Sequence, residues 1–495
     1  MGKRRVIVIG SGVGGLAAAL LTAAHGLDTL VLERAPYPGG KLREVEIEGR
    51  NIDAGPTVFT MRDVFEELFA SAGASLGDHL KLKRAEVLAR HAWTDGSRLD
   101  LTGDIDANAH AIGEFGGAAE ARGYRSFATR SADMLKTLDK AFMRASRPDP
   151  LSLAARIGLF DWPRLMTISP FETLWGALGA HFQDPRLRQL FGRYATYCGS
   201  SPFLAPATLM LIAEVERQGV WYVDGGMRRL ADAFKAVAEG AGARFLFGAD
   251  VERIVVEAGR VAGAVTRSGE RFAAEAVVFN GDVSALGAGL LGAPARSAAS
   301  PTPPEQRSLS AVTFVGVGRA GNFPLIRHNV FFGGDYAEEF DAIFKQRRLP
   351  SEPTTYVCAS DREDGADQER GEERLFVLVN APANEGRALS AEEVKSCETA
   401  ATTLMQKCGL KLEMRQSQTT SPEDFARLFP ATGGALYGPA SHNWQASFRR
   451  PRARSSLPGL YLAGGSVHPG PGVPMAALSG RQAAVALISD LASTK

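Results

Sequence analysis

The sequence has no long apolar run and almost no net charge. None of its stretches reaches the roughly 18 consecutive apolar residues that a membrane-spanning helix requires. Its 56 basic residues are balanced by 55 acidic ones, which gives a formal net charge of +1. Because no global positive field draws the chain to nucleic acid, we expect no nucleic-acid partner.

Cysteine is also scarce. The 495 residues contain only four cysteines, and no two of them form a C-x-x-C pair, so neither zinc binding nor dithiol redox chemistry is indicated. We expect no metal site and four free structural thiols, as in a protein of the reducing cytoplasm. They are Cys198, Cys358, Cys397 and Cys408.

The chain is long enough for two domains, because one hydrophobic core rarely serves more than about 250–300 residues. Its N-terminus allows two interpretations. Lys3–Arg5 followed by an Ala-rich apolar run is typical of a signal peptide. Glycines interrupt that run, however, and a strand ending in Glu33 follows at the spacing of a cofactor site, which favours a nucleotide-binding unit.

A strand–helix–strand pattern opens the chain. Val6–Ile9 is apolar throughout, as in a parallel strand buried on both faces. Leu16–His25 predicts a helix that ends before Gly26, and Thr29–Leu32 predicts a second strand. The unit takes about 30 residues, the usual length of a βαβ crossover.

Glycines stand between this strand and helix as G-x-G-x-x-G: Gly10, Gly12 and Gly15, with Gly14 inside the motif. The first permits a tight turn, the second lets the backbone approach a pyrophosphate, and the third lets helix and strand pack closely. The helix N-terminus offers free N–H groups to the phosphates. Glu33 is placed to accept hydrogen bonds from the adenosine ribose. The pattern predicts a dinucleotide without deciding between NAD and FAD.

The rest of the chain indicates further α/β structure. Turn signals and β-branched runs predict a helix at Met227–Glu239, strands at Arg244–Phe247, Val251–Glu257, Val261–Arg267, Ala276–Asn280, Ala311–Val317, Thr354–Cys358, Arg374–Asn380 and Gly459–Ala463, a helix opened by a capping box of Ser390 and Glu393, and a last helix from Met475. The acidic stretch Asp361–Glu373 predicts a solvated loop.

Two further loops carry a family resemblance. One runs from Arg34 through Gly40 to Lys41, and the other contains Gly55-Pro56-Thr57. Both resemble loops of the FAD-dependent amine oxidase and carotenoid desaturase superfamily, where the first wraps the pyrophosphate and the second lies near the flavin. The resemblance implies an α/β fold: a Rossmann-like FAD-binding domain of the amine oxidase/glutathione reductase type, with an interleaved α+β substrate domain and a helical membrane-facing region. The cofactor-binding residues that it implies here are Arg34, Gly40, Lys41, Gly55, Pro56, Thr57 and Val251.

One residue departs from the family's pattern. Lys41 stands where the family usually has arginine. The charge is kept but the planar fork is lost, so one phosphate contact is weaker or passes to Arg43.

The C-terminal region carries a second, independent resemblance. Gly464 and Gly465 follow a strand, and Pro474-Met475 begins the last helix. In the carotenoid desaturases this loop contacts the flavin, and the helix dipole favours its anionic reduced form. Amine oxidases typically have an acidic residue where Gly465 stands, which favours the desaturase branch. No cysteine lies near, and His468 is expected to bond backbone, so the FAD is expected to be non-covalent.

Two internal blocks narrow the branch. Residues 193–203 (RYATYCGSSPF) and 219–227 (GVWYVDGGM) resemble bacterial phytoene-desaturase-like enzymes, most of all the 1-hydroxycarotenoid 3,4-desaturases. The resemblance implies an oxidoreductase of carotenoid biosynthesis that introduces a C-3,4 double bond by hydride transfer to flavin, with oxygen or a quinone as electron acceptor. For each of these aromatic side chains, core packing remains the alternative.

The same resemblance divides the chain into five segments. FAD-binding parts are expected at 1–95, 216–300 and 441–495, a substrate and membrane-facing region at 96–215, and a second substrate part at 301–440.

Between Arg122 and Arg193 there are 12 basic and 6 acidic residues, a surplus of six (12 − 6), mixed with aromatic residues. Such a mix is typical of the lipid headgroup layer, and an amphipathic cap over the substrate domain is the alternative. A forty-carbon polyene would cost roughly 30 kcal/mol to release into water at ~0.8 kcal/mol per CH₂, which favours a peripheral enzyme of the inner membrane.

No constellation demands a catalytic role. His181, Asp184, Glu214 and Asp224 flank the substrate-region blocks, but each is expected to be structural, and the catalytic residue stays open. Three alternatives remain: a phytoene desaturase, an amine oxidase, and a flavin-free prenyl-lipid carrier resembling the GDP-dissociation inhibitors. An intact pyrophosphate motif and flavin-ring loop weigh against the carrier.

Overall fold

The computed structural model describes residues 4–146, 149–157, 169, 171–363, 371–383 and 387–493. Its strands are β1 Arg5–Ile9, β2 Asp28–Glu33, β3 Glu44–Ile47, β4 Arg50–Asp53, β5 Leu82–Arg84, β6 Val87–Trp93, β7 Arg98–Thr102, β8 Trp221–Val223, β9 Arg244–Phe247, β10 Val251–Glu257, β11 Arg260–Thr266, β12 Arg271–Ala273, β13 Ala276–Phe279, β14 Ser310–Gly321, β15 His328–Phe332, β16 Thr355–Ala359, β17 Glu373–Ala381, β18 Lys411–Thr420 and β19 Leu460–Leu462. Its α-helices are α1 Val13–Ala24, α2 Arg62–Ala70, α3 Leu76–His79, α4 Ile105–Gly116, α5 Ala118–Leu138, α6 Pro150–Ile157, α7 Leu174–Gly179, α8 Pro185–Gly192, α9 Leu211–Gln218, α10 Arg228–Gly240, α11 Val283–Gly287, α12 Tyr336–Phe344, α13 Ala391–Lys407, α14 Pro422–Leu428 and α15 Val473–Ser493.

A five-stranded parallel sheet, ordered β19-β13-β1-β2-β9, forms the first core. Its central strand β1 is apolar and almost entirely buried, as a parallel strand covered on both faces should be. Helix α1 packs against α15 so closely that a Cβ on Gly480 would lie 2.0 Å from the Gly14 carbonyl oxygen. This sheet confirms the predicted Rossmann-like unit.

A seven-stranded mixed sheet, ordered β18-β14-β17-β16-β15-β6-β7, forms the second layer. Its long central pair, β14 and β17, is antiparallel, and β15 pairs parallel with β6. The helices α5, α7, α8 and α9 cover it with a separate apolar cluster. The α/β fold class with an interleaved α+β second domain is therefore confirmed.

The strand at 87–93 lies in this second sheet and forms a hairpin with β7. The first boundary of the five-segment division, near residue 95, thus falls inside one hairpin. We keep the division as a proposal and assign this hairpin to the substrate side.

The solvated-loop prediction for Asp361–Glu373 is wrong at its C-terminal end, and residues 364–370 lie outside the described residues. Glu373 begins β17 and is 1% exposed, and its carboxylate pairs with the Arg362 guanidinium at 2.7 Å. At the other end, Asp361 pairs with Arg374. Charge composition misled here because a buried charge is tolerated when a partner of opposite sign satisfies it.

The four cysteines are free thiols, as predicted. Among the helices of the described residues, none combines the length and the apolar character needed to cross a bilayer.

Candidate active site

The glycine loop forms a cradle at the carboxyl end of β1. Gly10 has a φ of +91°, a left-handed conformation that favours glycine, and α1 begins directly after Gly12. A Cβ on Gly15 would lie 2.0 Å from the Gly10 carbonyl oxygen, and one on Gly12 would lie 2.8 Å from Asn280 Oδ1. Because these positions carry no side chains, none covers the backbone, and an anion can closely approach the loop and the helix N-terminus.

Glu33 ends the neighbouring strand β2. Its carboxylate accepts hydrogen bonds from the Ser11 backbone N–H at 2.7 Å, the Ser11 hydroxyl at 2.8 Å and the Ala35 N–H at 2.8 Å. The residue is 8% exposed. Since a carboxylate offers about four lone-pair sites, Glu33 can orient the loop and still accept from a ribose hydroxyl.

Three cations lie on the wall of the same cavity: Arg34, Lys41 and Arg43. Lys41 donates to the Leu436 carbonyl, and burial lowers its pKa. Arg43 donates to the Thr420 hydroxyl at 2.9 Å, and Arg34 donates to backbone carbonyls. These acceptors are all neutral, so the positive charge at this wall can still be neutralised by a phosphate.

The loop between β19 and α15 closes the cradle. The Gly464 N–H donates to the Ser479 hydroxyl at 3.2 Å, and Pro474 lies in the first turn of α15, where its missing N–H costs no hydrogen bond. Residues 473–476 line the cavity, so the positive end of the helix dipole faces it.

The structure brings the cofactor residues expected from the sequence together. Fifteen of the sixteen line one continuous cavity: Gly10, Gly12, Gly14, Glu33, Arg34, Gly40, Lys41, Gly55, Pro56, Thr57, Val251, Gly464, Gly465, Pro474 and Met475. The sixteenth, Gly15, packs behind the loop against the Gly10 carbonyl oxygen. This is the position expected for the glycine that lets helix and strand pack closely.

Asn280 is a cradle residue that the sequence analysis did not single out. It follows β13, and a Cβ on Gly12, Gly14 or Gly464 would lie within 3.0 Å of its side-chain amide. Its Oδ1 is buried and has no hydrogen-bond partner among the described residues. The signal that could have found it is its place after a parallel strand beside β1, because ligands bind outside the carboxyl ends of such strands.

Arg450 was also missed. It is 3% exposed, and its guanidinium donates to the Gly465 carbonyl at 2.9 Å and to the Pro439 carbonyl at 2.8 Å. Burial lowers its pKa to about 10, so it remains a cation at neutral pH. No local pattern marks it, because its partners are carbonyls of two other loops, 11 and 15 residues away.

Buried polar groups and cations in a glycine cradle fit FAD. The glycine loop and Glu33 would hold the pyrophosphate and ribose, Lys41 and Arg34 would face the phosphates, and the loop at Gly465 would face the ring. His468 does not line this cavity. Its Nε2 lies 2.8 Å from the Ala145 carbonyl, as expected for a histidine bonded to backbone.

The cavity is larger than a cofactor requires. Its volume is about 1590 Å³, whereas pockets for one small molecule hold about 300–1,000 Å³. Four aromatic residues line its outer part, and neighbouring rings have centroids 5.4–6.2 Å apart; they are Phe142, Phe171, Trp444 and Phe448. Because Phe171 is 79% exposed, these rings mark where the cavity meets the surface, and we call them the mouth.

The inner wall carries a closed polar network. Arg193 pairs with Glu216 at 3.2 Å and donates to the Tyr197 hydroxyl at 2.7 Å. The Tyr194 and Tyr197 hydroxyls both donate to the Glu216 carboxylate. Burial raises the pKa of Tyr194, so these phenols stay neutral and the network carries one compensated ion pair.

The four candidate acid–base residues lie away from the cavity lining. Asp184 caps α8 and Glu214 pairs with Arg217. His181 packs against the Phe127 ring. Asp224 lies in a separate small polar pocket.

Comparisons with known proteins show the family to which this chain belongs. Residues 13–488 match the family of flavin containing amine oxidoreductases. The hydroxyneurosporene desaturase of Rubrivivax gelatinosus is 52% identical and that of Cereibacter sphaeroides 44%, over 99% of this chain and 94% and 98% of theirs. The zeta-carotene-forming phytoene desaturase of Myxococcus xanthus is 31% identical over 97% of this chain and 92% of its own.

Solved structures share the fold. An oxidoreductase from Methanosarcina mazei superposes with a TM-score of 0.60 at 17% identity, covering 96% of this chain and 99% of its own. Putrescine oxidase bound to putrescine superposes with a TM-score of 0.59 at 16% identity, covering 99% of both chains. The chain therefore belongs to the flavin-containing amine oxidoreductase family, and its cofactor is FAD.

Proposed function

We propose that this protein is an FAD-dependent carotenoid desaturase that introduces the C-3,4 double bond into 1-hydroxycarotenoids of the hydroxyneurosporene type. The observation that carries this proposal is the full-length identity of 52% and 44% with two hydroxyneurosporene desaturases. The cavity supports it, because it has room for a second, apolar molecule beside the cofactor.

Bound FAD supplies the hydride acceptor for oxidation of a carbon–carbon single bond. The chain's own residues hold and shield the substrate. The floor of the cavity is the face of the seven-stranded sheet that carries Val330, Phe376 and Leu378, and these side chains exclude water from the reacting carbons. A cation next to a polyene is delocalised, so the adjacent proton can leave without a strong base. The lining accordingly needs no acid–base dyad.

The assay is incubation of the purified holoprotein with a 1-hydroxycarotenoid and, separately, with phytoene, each under air and, anaerobically, with an added quinone as electron acceptor. Each added double bond lengthens the polyene, so its absorption moves to longer wavelength. We expect turnover of the hydroxycarotenoid and little of phytoene. Exclusive turnover of phytoene would replace this function by phytoene desaturation, and a preparation that takes up no FAD would refute both.

We further propose that the protein binds the cytoplasmic surface of the inner membrane with the mouth against the lipid. Leu151, whose neighbours Pro150 and Leu153 line the cavity, and Phe171 of the mouth are 84% and 79% exposed. Exposed apolar side chains in a segment with a surplus of basic residues suit an anionic bilayer. Trp175, also between Arg122 and Arg193, instead packs against Phe203, with ring centroids 4.6 Å apart. Residues 158–162, in the same stretch of sequence, lie outside the described residues.

Vesicle flotation tests the docking. Protein should float with anionic vesicles at low salt, and Phe171→Ser should weaken this while leaving FAD content unchanged. Val485→Ser, at an exposed apolar residue of α15 that does not line the cavity, is the matched control. A wild-type protein that stays at the bottom of the gradient refutes the docking.

For the electron acceptor we propose oxygen or a membrane quinone. Stopped-flow reoxidation of the reduced holoprotein by each separates them. An acceptor that reoxidises the protein more slowly than the measured turnover is excluded.

A further inference from the structure

One row of side chains crosses the floor of the cavity. Its members are in register, one from each of five neighbouring strands, and all of them line the cavity. In the strand order β18, β14, β17, β16 and β15 they are Thr420, Thr313, Leu378, Tyr356 and Val330. Side chains one residue further along each strand point to the other face of the sheet. The row therefore presents one face of the sheet to the cavity, and its Tyr356 hydroxyl contacts the loop at Gly55–Thr57 through Thr57.

Tyr356 is the middle of a chain of three hydrogen-bonding groups. Its hydroxyl lies 2.7 Å from Thr57 Oγ1 and 2.7 Å from His328 Nδ1. Thr57 and Tyr356 are half-buried and line the cavity, whereas His328 is 2% exposed. Burial, together with the nearby Arg327 and Arg193 charges, lowers the pKa of His328 to about 3, so its imidazole is neutral.

A count of protons shows that this chain is open at Thr57. If the imidazole carries its proton on Nε2, Tyr356 donates to His328, Thr57 donates to Tyr356, and the Thr57 oxygen is left as an acceptor. If the proton is on Nδ1, the order reverses and the Thr57 hydroxyl proton is left as a donor. In either tautomer unfilled capacity remains at both ends of the chain: on Thr57, at the cavity, and on His328 Nε2, which is buried and has no partner within the described residues. The network of Arg193, by contrast, ends on a carboxylate.

We propose that Thr57, oriented by Tyr356 and His328, binds the hydroxyl group of the substrate and selects hydroxylated carotenoids over the hydrocarbons. This inference rests on the proposed function, in which the hydroxyl at C-1 lies two carbons from the oxidised bond. An alcohol placed in an apolar cavity without a partner is unfavourable. An alcohol is both donor and acceptor, so it satisfies Thr57 in either tautomer.

Such a site discriminates mainly against the substrate that lacks the group. A pocket built to bond a hydroxyl leaves its own polar atoms unpaired when the hydrocarbon binds, and this penalty is far larger than that of a missing methylene. Wild-type kcat/KM should therefore favour the 1-hydroxycarotenoid over the hydrocarbon of equal length and unsaturation by about 100-fold or more.

Tyr356→Phe tests the chain, because it removes the middle hydroxyl and keeps the ring. We expect the hydroxycarotenoid-to-hydrocarbon ratio of kcat/KM to fall by about tenfold to a hundredfold. Tyr336→Phe is the matched control: Tyr336 lines the same cavity, is 6% exposed, and its hydroxyl has no partner within the described part of the chain. That variant should keep the wild-type ratio.

Binding gives a readout that does not require turnover. Dissociation constants of both ligands, from quenching of protein fluorescence in the reduced holoprotein with oxygen excluded, should show the same change in ratio. The 1-methoxycarotenoid, which accepts but cannot donate, should bind like the alcohol if Thr57 donates and like the hydrocarbon if Thr57 accepts.

The outcomes separate this inference from the proposed function. Equal wild-type kcat/KM for alcohol and hydrocarbon overturns the inference and leaves a carotenoid desaturase. An unchanged ratio in Tyr356→Phe with weaker FAD binding also overturns it, by assigning the chain to the cofactor. Absence of turnover with any carotenoid, despite bound FAD, refutes the proposed function itself.

Discussion

Gly15→Ala is the sharpest test of the cradle. The added Cβ would lie 2.0 Å from the Gly10 carbonyl oxygen, whereas real Cβ contacts stay above 3.0 Å. The first turn of α1 must then shift by about 1 Å from β1, and overpacking of this kind costs about 1–3 kcal/mol. Because the shift displaces the amides that face the phosphates, we expect FAD to bind about 5-fold to 150-fold more weakly.

The affinity is measured by titrating FAD into the apoprotein and following the loss of flavin fluorescence. Gly240→Ala is the matched control: it exchanges the same atoms at the end of α10, where an added Cβ meets nothing within 4 Å. It should leave FAD affinity unchanged and raise the free energy of unfolding by at most about 1 kcal/mol. Wild-type FAD affinity in Gly15→Ala would contradict the close-packing role of this glycine.

Three further changes probe the scaffold. Gly480→Ala places a Cβ 2.0 Å from the Gly14 carbonyl oxygen and should lower the free energy of unfolding in urea by about 1–3 kcal/mol; an unchanged midpoint would show that the helices can separate freely. Burial raises the pKa of Asp53 from 3.8 to about 6. The contribution of this group to the free energy of unfolding is therefore complete below about pH 4 and is lost, by up to about 3 kcal/mol, as the pH rises through 6. Asp53→Asn should remove this loss, and equal pH profiles of the two proteins would disprove it. Glu373→Gln leaves the Arg362 guanidinium buried and uncompensated and should cost about 3–5 kcal/mol, most of it restored by adding Arg362→Met; a single variant as stable as the wild type would contradict this.

The cofactor half of the molecule could be predicted from the sequence because its signals are local. The glycine loop follows β1 directly, and Glu33 ends the next strand. Short-range rules on turn geometry and strand burial are enough to place such residues. The same holds for the capping box of Ser390 and Glu393, which the structure shows with both hydrogen bonds made.

The remaining cradle residues could not be predicted, since tertiary contacts that no local pattern encodes place them. Asn280 reaches the glycine loop only because β13 pairs with β1 across 270 residues of chain, Val6 opposite Ala276. Arg450 joins carbonyls of two loops, at Pro439 and Gly465. Neither residue has a periodic or motif signal, so sequence patterns contain nothing that distinguishes it from its neighbours.

Substrate choice follows the same division. Thr57 belongs to a loop that the sequence assigns to the cofactor, but the structure joins it to Tyr356 and His328, about 300 residues away in sequence. Thr57, a residue of the cofactor loop, is thus also the end of a hydrogen-bond chain that begins in the second sheet. A hydroxyl bound there would be held beside the reacting bond by both domains at once. Selectivity for the alcohol should therefore depend on the register of β15 and β16 as much as on Thr57. No local motif in either strand encodes that register.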